Sequence, residues 1–213
     1  MTEEEARGWL GAHFDVPRET WQRLEGFVAL LLDAMTEQNL IAESTRDHVW
    51  ARHIVDSAQL LPLANEAGEG PWLDLGSGAG LPAIVVAILA DRPVVMLESR
   101  RKRIDFLSGV IDRLALAHAS VWGGRVEMAP ATDAAVISAR AYAPLPRLFD
   151  SALHLSTDRT IWVLPKGRNA QNELEAAQPA WQGAFHVERS VTDPDSAIIV
   201  ARAVRSKGRR GKG

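Results

Sequence analysis

"WLDLGSGAGLPAIVVAILA", Trp72 to Ala90, decides the fold. A short apolar run carries one carboxylate, Asp74; Gly76, Gly78 and Gly80 follow at every second position, and a second apolar run fills Leu81–Ala90. The first run, with Pro71 before it, reads as a strand. The second is apolar nearly all round and reads as a helix buried against a sheet. Glycines at such a junction let the backbone turn sharply and approach a ligand closely. The helix N-terminus is directed at the same place. Pro82 fits the first helical turn, where its missing N–H costs nothing.

Outward from this stretch the pattern repeats. "PVVML" (Pro93–Leu97) reads as a strand, and Arg103–Leu116 as a helix with Ile104, Leu107, Ile111 and Leu114 on one side. "AAVISA" (Ala134–Ala139) and "TIWVL" (Thr160–Leu164) are further strands around a helical Pro144–Leu155. "FHVERSV" and "SAIIVARAV" alternate like an antiparallel hairpin joined by "TDPD". Strands alternating with helices predict an α/β, Rossmann-like fold: a mostly parallel, doubly wound, seven-stranded sheet with a C-terminal antiparallel hairpin. Upstream of the loop Ala64–Pro71 the chain reads as helices. Trp21, Leu24, Val28, Leu31 and Met35 form one stripe; Trp50, Ile54, Ala58 and Leu61 form another, in a helix opened by Ser44 at capping-box spacing from Asp47. The expected organisation is an N-terminal helical extension over 1–66, a ligand-binding domain over 67–204 and a flexible basic tail over 205–213.

Composition narrows the function. The 213 residues are 46% hydrophobic and 24% charged, as in a globular domain. There is no cysteine, so disulfides, thiolate metal sites and a cysteine nucleophile are excluded. No His/Asp/Glu cluster has metal-ligand spacing, so no metal is expected. No apolar run approaches the ~20 residues of a membrane span, and the acidic start "MTEEEARGWL" is wrong for a signal peptide. A soluble, cytoplasmic protein is expected. The net charge of −3 includes five basic residues between Arg205 and Lys212; this glycine-spaced run suits either a solubilising tail or a grip on phosphates.

Two ligands compete for the glycine loop. Gly78, Gly80 and Ala83 match the dinucleotide spacing G-x-G-x-x-A, which keeps an NAD-dependent oxidoreductase open. Asp74 argues the other way. A carboxylate beside a pyrophosphate is unhelpful, whereas it suits the ammonium of S-adenosyl-L-methionine, which carries no phosphate. Glu98, 18 residues beyond Gly80, is placed to accept ribose hydroxyls of either ligand.

"DLGSGAGLP" resembles the first motif of class I S-adenosylmethionine-dependent methyltransferases. With "NL" (Asn39–Leu40), "RHIVDS" (Arg52–Ser57), "GRVE" (Gly124–Glu127), "SARAYAPL" (Ser138–Leu145) and "LPKG" (Leu164–Gly167), the chain resembles the bacterial small-subunit ribosomal RNA guanine-N7 methyltransferases, also called glucose-inhibited division protein B. The pieces run in family order over most of the chain. It departs from the family at Ala34–Met35, often Trp-Asn, and at Ala83, often glycine. The resemblance implies methylation of N7 of guanine 527 in the 530 loop of 16S rRNA. The expected partner is 16S rRNA, the small ribosomal subunit or its assembly intermediate, and a monomer is expected. It implies cofactor contacts at Gly76, Leu81, the backbone of Val126–Glu127, and Arg140; Asp74, Ser77, Gly78, Gly80 and Glu98 complete the expected cofactor set.

Arg140 ends an apolar strand, where its planar fork suits a carboxylate or phosphate; Lys166 ends the next, among the residues placed to touch RNA or the target base. These two cations are the candidate catalytic-edge residues, as positioning groups. Arg52 and Asp56 have intrahelical ion-pair spacing, with His53 between them. The expected RNA contacts are Arg52, His53, Arg100, Arg101, Lys102, Arg103, Lys166, Arg168, Arg209 and Arg210. Guanine N7 already has a lone pair, so the expected chemistry is alignment rather than proton removal. A non-catalytic RNA-binding protein is the remaining alternative.

Overall fold

The computed structural model describes residues 1–208. Seven strands form one sheet: β1 (Trp72–Leu75), β2 (Val94–Glu98), β3 (Ala119–Gly123), β4 (Ala134–Ser138), β5 (Ser156–Gly167), β6 (Trp181–Arg189) and β7 (Ala197–Ser206). Their spatial order is β3-β2-β1-β4-β5-β7-β6. The first five are parallel, and β7 is antiparallel to both β5 and β6. The predicted seven-stranded, doubly wound sheet with an antiparallel C-terminal hairpin is the observed one. Strand order reverses between β1 and β4, so the chain leaving β1 enters the crevice where ligands of such sheets bind.

Side chains alternate across β1. Trp72 belongs to a core shared with the N-terminal helices, α5 (Ala83–Leu89) and α6 (Arg101–Arg113). Leu73 and Leu75 join the opposite core, with α7 (Leu145–Ala152) and α8 (Ala170–Ala177). Burial of α5 on all sides explains its unbroken apolar sequence: Ala83 to Ile88 are all buried.

The N-terminal layer differs in detail from expectation. Thr2 caps α1 (Glu3–His13) in a capping box with Glu5: its hydroxyl accepts the Glu5 N–H at 3.1 Å and the Glu5 carboxylate accepts the Thr2 N–H at 2.7 Å. After α2 (Arg18–Ala34), the expected helix from Ser44 is not a single α-helix. Glu43–His48 is 3₁₀, Trp50–Val55 is π-helical, and only then come α3 (Asp56–Ala58) and α4 (Leu60–Leu63). Ser44 makes no side-chain cap. The Glu3 carboxylate of α1 instead accepts the N–H groups of Trp50 and Ala51, each at 3.0 Å. The cap comes from a distant element, so local spacing could not reveal it. Trp50, Ile54 and Ala58 are buried as predicted, while Leu61 is half-buried.

The hairpin is longer than read. β6 begins at Trp181 because Gly183 allows a register shift opposite Arg202, whose carbonyl would lie 2.8 Å from a Cβ there. Trp181 pairs with Ser206, so Arg205 and Ser206 belong to β7 and not to a tail. Arg205 also bonds Asp158, and the Lys207 ammonium donates to the Gln178 carbonyl at 2.6 Å. The remainder of the expected tail, with Arg209 and Arg210, lies outside the described residues.

Candidate active site

Asp74 is fully buried on β1. The Trp72 indole N–H donates to Ser138 Oγ at 2.8 Å, and Ser138 donates to Asp74 Oδ1 at 2.6 Å. Oδ2 has no hydrogen-bond partner among the described residues. Burial pushes this carboxyl up to about 6, against the lowering influence of Ser138, Ser77 and Arg140. A buried carboxylate oxygen without a donor is costly, and a ligand ammonium would satisfy it. The residues present thus fit a zwitterionic amino-acid group better than a pyrophosphate.

The glycine loop is tied to the sheet. Gly76 and Ser77 donate to the Leu97 carbonyl at 2.8 and 3.2 Å, and Ser77 Oγ donates to the Asp74 carbonyl at 3.0 Å. Gly76, Gly78 and Gly80 all have positive φ (65°, 55° and 81°), a region that disfavours side chains. Their surroundings differ. A Cβ on Gly76 would lie 2.7 Å from the Tyr142 ring, on Gly78 3.0 Å from the Arg103 guanidinium, and on Gly80 2.5 Å from Ile84. Gly80 is therefore a packing requirement, whereas Gly76 and Gly78 border side chains at the crevice. Leu81 is buried behind the loop. Glu98, 5% exposed, accepts N–H groups of Gly78 (3.0 Å), Ser99 (2.8 Å) and Arg100 (2.8 Å). These leave its carboxylate about one of its roughly four acceptor positions. Val126 and Glu127 form a 3₁₀ turn after β3, with Val126 buried and the Glu127 side chain out towards Arg125.

Arg140 follows β4 and enters a chain of bonds that the sequence did not disclose. Its Nη2 donates to His53 Nδ1 at 2.9 Å. His53 Nε2 lies 2.8 Å from Thr45 Oγ1, and Thr45 donates its own proton to the Ala42 carbonyl at 2.7 Å. The imidazole is therefore neutral with its proton on Nε2. Burial, with the Arg140 and Arg52 charges, holds His53 down to about 3. His53 is 3% exposed, so the expected RNA contact there is corrected: its ring lies below the surface with both nitrogens engaged. The intrahelical pairing that the Arg52–Asp56 spacing allows is replaced by other partners. Arg52 meets Asp193 at 3.0 Å, and Asp56 Oδ2 faces Arg140 Nη1 at 3.6 Å.

Lys166 lines the same region, yet its ammonium is committed: it donates to the Ala143 carbonyl at 2.7 Å and meets Glu173 at 2.9 Å. Glu173 also accepts the Leu145 N–H at 3.1 Å. Lys166 thereby anchors the loop between β4 and α7, in which Ala141 has φ of 52° and turns Tyr142 onto Gly76. Arg100, Arg101 and Lys102 lie at the start of α6 with Arg103, whose guanidinium reaches the glycine loop. Arg101 is paired with Asp105 and Arg168 with Asp195, both exposed. Tyr142, Ser138, Thr192 and Asp193 were missed by sequence reasoning; a serine closing an otherwise apolar strand was the one available signal. Among the described residues, no group of three or more His, Asp or Glu side chains is placed to hold a metal ion, and no helix is long and apolar enough to cross a membrane.

A family described as rRNA small subunit methyltransferase G matches residues 20–198. The chain is 51% identical over 210 residues to ribosomal RNA small subunit methyltransferase G of Sphingopyxis alaskensis, covering 99% of this chain and 90% of that one. It is 52% identical over 215 residues to the protein of the same name from Rhizorhabdus wittichii, covering 100% and 98%. Among solved structures, the Bacillus cereus O-methyltransferase in complex with SAH superposes with a TM-score of 0.60 at 19% identity, over 92% of this chain and 96% of that one. That likeness is one of fold.

Proposed function

The chain belongs to the rRNA small subunit methyltransferase G family, and from that membership we propose that it methylates N7 of guanine 527 in 16S rRNA, acting as a cytoplasmic monomer. It is a methyltransferase of small-subunit rRNA that uses S-adenosyl-L-methionine. The observation that carries the cofactor reading is Asp74 Oδ2, a buried carboxylate oxygen beside the glycine loop that lacks a donor. An NAD enzyme has no use for that charge beside its phosphates.

Bound there, the cofactor supplies a methyl group activated by its sulfonium. Asp74 holds the ammonium, and Arg140, whose Nη1 has no hydrogen-bond partner among the described residues, holds the carboxylate. Gly76, Ser77, Gly78, Gly80 and Leu81 bring their backbone close. Glu98 offers its remaining acceptor position to the ribose, and the backbone of Val126–Glu127 borders the adenine. No side chain removes a proton, since N7 attacks with its own lone pair; the residues contribute alignment. His53 is in keeping with this, because its lone pair is already used by Arg140. Lys166 positions the loop carrying Arg140 and Tyr142. Arg52, Arg100–Arg103 and Arg168 contribute charge for the rRNA phosphates.

The test is methyl transfer from labelled S-adenosylmethionine to 16S rRNA carrying guanosine or 7-deazaguanosine at the target. Guanosine should accept the methyl group, and 7-deazaguanosine should bind equally well and accept none. Methylation of the deaza substrate overturns the N7 assignment.

A further inference from the structure

A cavity of about 520 Å³ opens at the carboxyl ends of β4 and β5, bordered by Asp56, Arg140, Tyr142, Lys166, Thr192 and Asp193. Its size is that of a small-molecule site. Tyr142 separates it from Gly76, so it adjoins the glycine loop. Most of its charged groups are already committed. Lys166 bonds Ala143 and Glu173. Asp193 accepts from Arg52 at 3.0 Å and from the Asp195 N–H at 3.0 Å. Asp56 Oδ1 accepts from Gln59 at 2.9 Å and from Thr192 at 2.8 Å. Asp56 Oδ2 and Arg140 Nη1 are the exceptions: among the described residues neither has a hydrogen-bond partner, and they face each other at 3.6 Å, too far for a hydrogen bond.

We infer that this cavity receives the target base and that Asp56 identifies it as guanine, Oδ2 accepting the N1–H. The inference rests on the guanine-N7 reading above. An enzyme acting on a base within folded RNA takes it out of the stack and reads its Watson–Crick edge in a pocket. An ionised carboxylate offers acceptors only. Guanine presents a donor at N1, whereas adenine presents a lone pair there, and two facing acceptors repel. Reading the Watson–Crick edge at N1 also leaves N7, on the neighbouring Hoogsteen edge, free for the methyl group. Gln59 and Thr192 pin the other oxygen, so Oδ2 is held in place before the base arrives. Sites that hydrogen-bond a specific substrate group reject analogues lacking it far more strongly than apolar pockets do.

The test uses the full chain and 16S rRNA differing only at the target nucleotide: guanosine, adenosine or 7-deazaguanosine. The wild type should prefer guanosine to adenosine by at least about 100-fold in kcat/KM. In Asp56→Asn, which keeps Oδ1 for Gln59 and Thr192, that preference should fall to about tenfold or less, with S-adenosylhomocysteine affinity unchanged within about twofold. Competition binding of the guanosine and adenosine RNAs reports the same preference if the variant no longer transfers methyl. A variant that retains the wild-type preference, whatever its absolute rate, overturns the assignment. So does a loss confined to cofactor affinity, which would mean that Asp56 acts only through Arg140. Methylation of the 7-deazaguanosine RNA would instead overturn the underlying N7 reading and leaves a separate signature.

Discussion

Arg140 donates to His53 Nδ1 at 2.9 Å, and that bond determines which imidazole nitrogen carries the proton. It joins a residue leaving β4 to the π-helical stretch of the N-terminal layer, 87 positions away. The cation that borders the crevice is thus oriented by the helical layer, not by its own strand.

The pairing makes His53 a source of acid sensitivity. Its folded value of about 3 lies below the ordinary 6.5. The stability it contributes is present above pH 6.5 and is lost as pH falls from there towards 3, amounting to about 2 kcal/mol at pH 5. Asp74, raised to about 6, acts in the opposite sense over pH 4–6, so wild type alone will not isolate the effect. Comparing chemical denaturation of His53→Asn and wild type at pH 7.5 and 5 should show the variant losing about 2 kcal/mol less. Parallel losses would mean that His53 protonates freely in the folded chain.

Asp74 predicts a pH dependence of cofactor binding. If its ionised form holds the ammonium, affinity for S-adenosylhomocysteine should be full at pH 7.5 and fall as pH drops through about 6, to about one-tenth at pH 5. Asp74→Asn should bind weakly at both values with no such slope. Calorimetry that finds pH-independent wild-type binding would remove Asp74 from the cofactor site.

The loop glycines should separate by cost. Gly80→Ala forces a Cβ to 2.5 Å from Ile84 and 3.1 Å from Leu107 at a φ of 81°; strain and overpacking together should cost about 2–4 kcal/mol. Gly78→Ala, at a φ of 55°, comes closer than ordinary contact only to the far end of the long Arg103 side chain, at 3.0 Å, and should cost about 1–2 kcal/mol. Urea unfolding measures both, and equal losses would contradict the packing role of Gly80.

Glu3 should matter to the whole N-terminal layer. Glu3→Ala leaves the Trp50 and Ala51 N–H groups without their acceptor, at a cost of about 1–3 kcal/mol. Protection of these two amides against hydrogen exchange should fall together. Unchanged protection would show that the π-helical stretch is held by packing alone.

The catalytic half of the fold was legible from one strand–glycine–helix junction. Trp72–Leu75, the buried α5 and the alternating hairpin carry their periods in the local sequence, and a doubly wound sheet admits few arrangements of them. Asp74 stands out in the sequence as the one carboxylate inside an apolar strand, and in the fold it is fully buried, with Oδ2 lacking a hydrogen-bond partner among the described residues. The N-terminal layer was less legible. Its helix from Ser44 is divided into 3₁₀, π and α segments and capped by Glu3, a partner more than 40 residues upstream.

Residue type and position along the chain thus determined the sheet, the glycine turn and the residues that border the crevice. Only the tertiary structure decided what those residues have left to offer. Lys166, expected to touch RNA or the target base, spends its charge on Ala143 and Glu173; His53, expected among the RNA contacts, is buried with both nitrogens bonded. Asp56 has ion-pair spacing from Arg52 on one helix, yet its Oδ1 bonds Gln59 and Thr192, its Oδ2 lies 3.6 Å from Arg140, and it lines the cavity. The reason is physical: a side chain's hydrogen-bonding capacity is small and is filled by whichever groups the fold brings near, most of them remote in sequence.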